Sequence, residues 1–286
     1  MHQAVFEASR RANGSIQRHE KANSTSNTAS ANSMPKTIME RLHSPKQCEP
    51  EAPKTWKLED LERMTRARNY FAWQSRLAAR ELGRRVVEVG CGVGNFTATL
   101  LDREAVIAVD NDPACLDRLR DRFPNHPNLH VFRGDASDDA FLEVAQFEPD
   151  SCVCLNVLEH IEDDRKALRN MASVLAPGGV VVLLVPAFPA LRGPIDRNLG
   201  HWRRYRRGGL AHLAEAAGLR LREARYMNTI GFFGWWVNAR LLRRDTQSAR
   251  QIEVFDRFVV PLMSRLEDAV RPPFGQSLFA VMEKPA

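Results

Sequence analysis

Between residues 84 and 186, five apolar runs of strand length alternate with segments of helical period. The runs at 86–89, 106–110, 129–132, 151–155 and 180–185 are apolar nearly throughout, as expected of parallel strands covered on both faces. Between them, 113–123 and 163–175 carry apolar residues at helical spacing, and Pro177-Gly178-Gly179 ends the second by helix-stop chemistry. Such alternation builds βαβ units, so the expected fold class is α/β, a doubly wound Rossmann-like sheet.

Composition removes the other classes. With 286 residues, 44% apolar and 27% charged, the chain has material for one sizeable core, which excludes wholesale disorder. Its apolar run at 180–191 carries Pro186 and Pro189 and falls short of the roughly 18 to 20 residues that span a bilayer. The five cysteines (Cys48, Cys91, Cys115, Cys152, Cys154) are odd in number and lack a framework spacing, which points to a reducing, cytoplasmic compartment. Residues 1–53 are rich in Ser, Asn, Thr and Ala with almost no large apolar side chains; a disordered tail is expected there, leaving 54–286 as one catalytic domain.

The net charge of +6 is unevenly placed. Residues 192–250 hold 13 arginines, no lysine and four acids (Asp196, Glu215, Glu223, Asp245), a local balance of 13 − 4 = +9. A basic segment on an otherwise neutral enzyme suits an acidic substrate or a membrane surface better than nucleic acid, and a solvated face accounts for it equally well.

The most informative stretch is VVEVGCGVGNFT, a strand ending at Glu88-Val89, then Gly90-Cys91-Gly92-Val93-Gly94 and an expected helix start at Asn95. Glycines at the carboxyl end of a first strand let backbone approach a nucleotide-like ligand closely. Asp110 closes the next strand 20 residues after Gly90, where a carboxylate can accept from both hydroxyls of a ribose. Asn95 stands where a dinucleotide fingerprint would place its third glycine, and Glu88 would repel a pyrophosphate while suiting a cationic ligand. Asp135, after the third strand, adds an acceptor for an adenine amino group.

The glycine turn with Asp110, the segment Gly134-Asp135-Ala136, DSCVCLNVLEHIED and LAPGGVVVLLVP together resemble the successive motifs of class I S-adenosylmethionine-dependent methyltransferases. More narrowly, RNYFAW, NVLEHIEDD and GPIDRNLGHWRRY resemble the bacterial small-molecule group described as type 11 or type 12. The resemblance implies a seven-stranded sheet with the last strand antiparallel, helical acceptor-lid insertions within 187–275, and S-adenosyl-L-methionine as cofactor. It would place Gly90, Cys91, Gly92 and Gly94 along the methionine part and ribose, with Glu88 at the turn or the ammonium. Asp110 with Asn111 would hold the ribose, Asp135 and Ala136 the adenine, Asn156 the methionine moiety, and Tyr70 on the helix before the first strand would close over it. The Asn/Asp-Pro-Pro-Tyr tetrapeptide of many nucleic-acid amino methyltransferases is absent after the fourth strand, which disfavours base methylation. The implied acceptor is a small molecule or a lipid-linked glycan. A binding module without turnover, or an RNA methyltransferase, are the competing readings.

Candidates for the acceptor side follow the fourth and fifth strands. Glu159 and His160 are expected to open the helix after the fourth, where His160 could be a general base and Glu159 a helix-start acid. Residues 195–205 offer Asp196, His201, Arg203, Arg204 and Tyr205: His201 as base, Asp196 to orient it, and Tyr205 with the arginines for an anionic group. Cys152 and Cys154 share a strand face but have no His or Cys partners at ligand spacing, so burial is expected and no metal. Phe71 and Trp73 are expected in the core. Phe232, Phe233, Trp235 and Trp236 beside Arg240, Arg243 and Arg244 would line an apolar pocket or press on a membrane interface, and Pro261 would split the last helix.

Overall fold

The computed structural model describes Met64 and residues 66–238 and 249–286. The expected tail, residues 1–53, lies outside the described residues, as do Arg240, Arg243 and Arg244. Helix α1 (Arg68–Ala78) leads into β1 (Arg85–Val89), β2 (Ala105–Asp110), α2 (Pro113–Arg122), β3 (Leu129–Arg133), β4 (Ser151–Leu155), α3 (Asp164–Val174) and β5 (Val180–Pro186). Each expected strand of this stretch, and the helices expected at 113–123 and 163–175, are present within a residue or two of their anticipated ends. Then come α4 (Pro194–Asn198), α5 (Arg207–Ala216), β6 (Arg220–Met227), α6 (Thr229–Trp236), α7 (Ala249–Val254), α8 (Val260–Ala269) and β7 (Ser277–Glu283).

The seven strands form one sheet in the order β3-β2-β1-β4-β5-β7-β6. Strands β1 to β5 pair in parallel, and β7 runs antiparallel to both neighbours, β5 and β6. The strand order reverses between β1 and β4, and an open α/β sheet leaves a crevice at such a switch point, outside the carboxyl ends of the strands.

Side-chain alternation divides the core into two layers. Val87, Val89, Ile107, Val109, Cys152, Cys154, Val181 and Leu183 face one way, onto Leu168 and Met171 of α3 and Leu210 of α5. Val86, Val106, Val153, Val182 and Leu184 face the other, onto Trp73 and Leu77 of α1 and Val260 and Met263 of α8. Glu88 sits on the β1 face of Val86, so its carboxyl enters an apolar layer.

Two local expectations are corrected. No α-helix starts at Asn95: the chain makes a 3-10 turn at Thr97–Thr99 instead. The Thr97 hydroxyl donates to Glu88 Oε2 at 2.6 Å and that of Thr99 to the Phe96 carbonyl at 2.8 Å, bonds that compete with helix continuation. Nor do Glu159 and His160 open α3, whose N-cap is Asp163, accepting from the Lys166 amide at 2.9 Å. Within 187–275 the helical insertions surround the edge strand β6, which runs in the same direction as β5 because both are antiparallel to β7. A π-turn at Phe255–Val259 and Pro261 in the first turn of α8 divide the last helical run, as the proline suggested.

The start of α1 is held from far away in the chain. Asp256 accepts from the Asn69 amide at 3.0 Å and the Tyr70 amide at 2.8 Å, so a carboxylate 186 residues downstream satisfies orphan donors that no local side chain caps.

Candidate active site

A cavity of about 850 Å³ opens at the switch point, lined by the glycine turn, the ends of β2 and β4, α1 and residues 195–204. Its size falls in the ordinary range for small-molecule and cofactor sites.

The glycine turn is braced from beneath. Gly90 has φ +74°, and a Cβ there would collide with the Val157 side chain, so only glycine fits both the left-handed backbone and the space. Asp110 Oδ2 accepts from the Gly92 amide at 2.8 Å and Oδ1 from the Asp112 amide at 2.9 Å. Asp110 therefore shapes the loop as well as facing the cavity, a duty that spacing alone did not suggest. Asp135 Oδ1 accepts from the amide and hydroxyl of Ser137, and Oδ2 from Asn111 Nδ2 at 3.4 Å. Ala136 is buried beside it, its carbonyl bonded by Asn170 Nδ2 at 2.9 Å. Asn156 lies at the end of β4 with φ +56°, a left-handed conformation asparagine tolerates better than most residues. Glu88, Cys91 and Tyr70 also line the cavity. Burial pushes the Glu88 carboxyl up to about 8, partly opposed by the Thr97 hydroxyl, and raises the Tyr70 phenol and the Cys91 thiol above their ordinary values.

The acceptor-side candidates part company. His201 lines the cavity, and its Nδ1 lies 3.0 Å from Asp196 Oδ1. Asp196 is fully buried and does not line the cavity; it also accepts from Arg204 Nε at 2.7 Å and the Gly193 amide at 2.8 Å. It can act on a ligand only through His201 or Arg204. Tyr205 and Arg203 are corrected: the phenol donates to Asp164 Oδ2 at 2.9 Å and Arg203 pairs with the same carboxylate at 2.7 Å, tying the loop to α3. His160 lies edge-on to His201, ring centres 4.6 Å apart, and lines the cavity. Phe71, expected in the core, lines it too, while Trp73 is fully buried as anticipated. The aromatic run divides: Trp235 is buried under the cavity with Arg204 stacked 4.7 Å over its ring, whereas Phe233 and Trp236 face solvent.

Gln74, which the sequence did not flag, completes the wall with Glu159 and Trp235. Gln74 Oε1, Glu159 Oε2 and Trp235 Nε1 are buried atoms without hydrogen-bond partners among protein groups, and all three residues line the cavity. Native proteins rarely leave such groups unsatisfied, which suits a wall built to meet a polar ligand. The signal for Gln74 was its place one turn after Tyr70 on α1; burial of Glu159 had no sequence signal.

A nucleotide-like crevice at a switch point, with an acid at the end of each of the first two strands and another just past the third, defines a class I S-adenosylmethionine-dependent methyltransferase scaffold. A family model described as a methyltransferase domain matches residues 61–224, more than half of the chain, and the protein belongs to that family. An uncharacterized methyltransferase of Mycobacterium tuberculosis is 36% identical over 108 residues, 37% of this chain and 53% of the relative. A Mycolicibacterium smegmatis protein named as an S-adenosylmethionine-dependent methyltransferase is 30% identical over 161 residues, 55% of this chain and 58% of the relative. The chain thus matches little more than half the length of these curated relatives. Among solved structures, a chain from the complex of the Haloferax volcanii Trm112 methyltransferase activator with a methyltransferase superposes with a TM-score of 0.54 at 19% identity, over 81% of this chain and 95% of that one. A Thermotoga maritima SAM-dependent methyltransferase gives 0.52 at 14% identity, over 79% and 96%. At these identities the structures speak for the fold alone.

Proposed function

We propose that the protein transfers a methyl group from S-adenosylmethionine to a small-molecule or lipid-linked acceptor. The observation that carries this reading is the cradle itself: a glycine turn braced by Asp110, in a cavity whose lining residues hold buried, unsatisfied polar atoms. The residues fit the cofactor. Asp110 would accept from the ribose hydroxyls, Asp135 from the adenine amino group, and Glu88 and Gln74 Oε1 would face the cationic methionine end. When bound, the cofactor supplies a methyl carbon made electrophilic by its sulfonium. The chain's own work is to exclude water, align an acceptor nucleophile behind that carbon, and take the acceptor's proton. His201 suits the last task, because Asp196 engages Nδ1 and leaves Nε2 for the acceptor.

Asp110→Ala is expected to weaken S-adenosylmethionine binding about 10- to 100-fold, since charged hydrogen bonds are worth roughly 1.5 to 3 kcal/mol. Loss of the Gly92 brace places the effect toward the upper end. Calorimetry giving equal affinity for the variant, or tighter binding of NAD by the wild type, would overturn the assignment.

One surface feature favours an acceptor presented at an anionic membrane. Val254, Phe258, Leu262 and Leu266 recur every fourth residue along α7, the π-turn and α8, each at least half exposed. Arg250, Arg257 and Arg265 are exposed on the same run, and Ile252 from α7 reaches the cavity. Aromatic and aliphatic side chains interleaved with arginines suit the headgroup boundary of anionic bilayers. The protein is expected to co-sediment with anionic phospholipid vesicles and not with zwitterionic ones. Phe258→Ser with Leu262→Ser should abolish the binding, and failure of the wild type to sediment at low ionic strength removes this reading.

A further inference from the structure

Glu159, His160 and His201 each present a ligand atom, all within 4.8 Å of one another, on the cavity wall where the acceptor would sit. Glu159 is 1% exposed and lines the cavity, and its Oε2 is buried with no hydrogen-bond partner among protein groups. His201 is already oriented as a metal-bound imidazole would be. Its Nδ1 lies 3.0 Å from Asp196 Oδ1, and a carboxylate only accepts, so Nδ1 carries a proton and Nε2 is the nitrogen that holds the lone pair in the neutral ring. Asp196 is itself locked by Arg204 Nε and the Gly193 amide, and this carboxylate–histidine pairing is the recurrent means of fixing a ligand's tautomer and ring angle. The rings of His160 and His201 meet edge-on at 86°, an arrangement that permits their nitrogens to converge, whereas parallel stacking would not.

We propose that Glu159, His160 and His201 bind one divalent transition-metal ion at the acceptor end of the crevice. Two imidazoles and one carboxylate are a donor set for zinc, cobalt, manganese or ferrous iron, with positions left open for a substrate oxygen. A tetrahedral site with bonds near 2.05 Å needs ligand atoms about 3.3 Å apart, so side-chain shifts on the order of 1 Å close the triangle. Arg204 is a cation that acts on Glu159, and Asp196 pairs with it.

The functional consequence rests on the methyltransferase reading above. The ion takes a hydroxyl of the acceptor in its open position and lowers the pKa of that oxygen, whose proton leaves to solvent. The oxygen then forms its bond to the methyl carbon, and sulfur keeps the electron pair of the broken carbon–sulfur bond. His201 serves the acceptor in either case, as a ligand when the ion is present.

The test uses the full chain, stripped by a chelator, desalted and titrated with Co²⁺ and Zn²⁺ by visible spectroscopy and calorimetry. One equivalent should saturate. Glu159→Gln and His201→Gln should abolish that equivalent, and Asp196→Asn should weaken it about 10- to 100-fold as loss of an outer partner does. If a variant fails to fold, X-ray absorption of the zinc-loaded wild type decides: two imidazoles with oxygen supports the site, and sulfur or a single imidazole overturns it. No saturable binding by the wild type, or an equivalent retained in the folded variants, also overturns it. S-adenosylmethionine affinity of the wild type is measured in the same preparation. Metal binding without cofactor binding defeats the functional reading alone, and cofactor binding without metal defeats the metal site alone.

Discussion

His201→Gln is expected to lower methyl transfer about 10²- to 10⁴-fold while cofactor affinity stays within about twofold of the wild type. Glutamine keeps much of the volume and can still donate to Asp196, so the buried Asp196–Arg204 pair should survive. What is lost is Nε2, the only His201 atom that can take a proton or hold a metal ion once Asp196 occupies Nδ1. A loop-anchoring role makes a different forecast. His201 also ties residues 192 to 201 together, since Arg192 Nη2 donates to its carbonyl at 3.0 Å and its own amide donates to the Asp196 carbonyl at 2.8 Å. Both engage the His201 backbone and not its ring, and persist in the variant. If the side chain mattered only for the loop, melting temperature, cofactor affinity and turnover would fall together in His201→Ala and recover in His201→Gln. Unchanged turnover in both variants would take His201 out of the acceptor site.

The second large effect concerns Glu88 and pH. Burial raises its carboxyl from 4.5 to about 8, so the folded protein holds this proton more tightly than the unfolded chain. Its contribution to stability is then fully present below pH 4.5 and lost as pH rises through about 8. The ceiling is about 5 kcal/mol, from 1.36 kcal/mol per pH unit. Glu88→Gln, which keeps an acceptor for the Thr97 hydroxyl, should flatten this decline, so the variant overtakes the wild type in melting temperature as pH approaches 8. A cationic ligand reverses the logic. An ammonium beside Glu88 favours the carboxylate, so cofactor binding should release a proton near neutral pH and tighten as pH rises toward 8. Calorimetry in buffers of different ionisation enthalpy reads the proton directly. Parallel melting profiles for variant and wild type, with no proton released on binding, would place Glu88 outside the cation site.

Much of the scaffold was legible because it follows from local periodicity. Strands 85–89 to 180–186 are short apolar runs bounded by turn residues, and Pro113 and Pro177-Gly178 punctuate the helices where expected. The glycine turn and Asp110 were equally readable, since backbone geometry demands glycine at Gly90. Errors fell where a side chain's partner is distant. Thr97 turned the expected helix at Asn95 into a 3-10 turn by bonding Glu88. The polar run 220–227 became the edge strand β6, because its pairing with β7 outweighs its weak strand pattern.

The sequence by itself determined the run of five parallel strands, the helices at 113–122 and 164–174, the glycine cradle and the acid at the end of each of the first two strands and just past the third, because each depends on local residue patterns and on the two periods of backbone geometry. Tertiary structure alone decided which polar groups work together. Asp256 reaches α1 across 186 residues, Asp196 withdraws behind His201, Tyr205 turns to Asp164, and Glu159 is buried opposite two imidazoles. Burial and long-range pairing set the energy of a charged group, and both depend on what the rest of the fold brings to it.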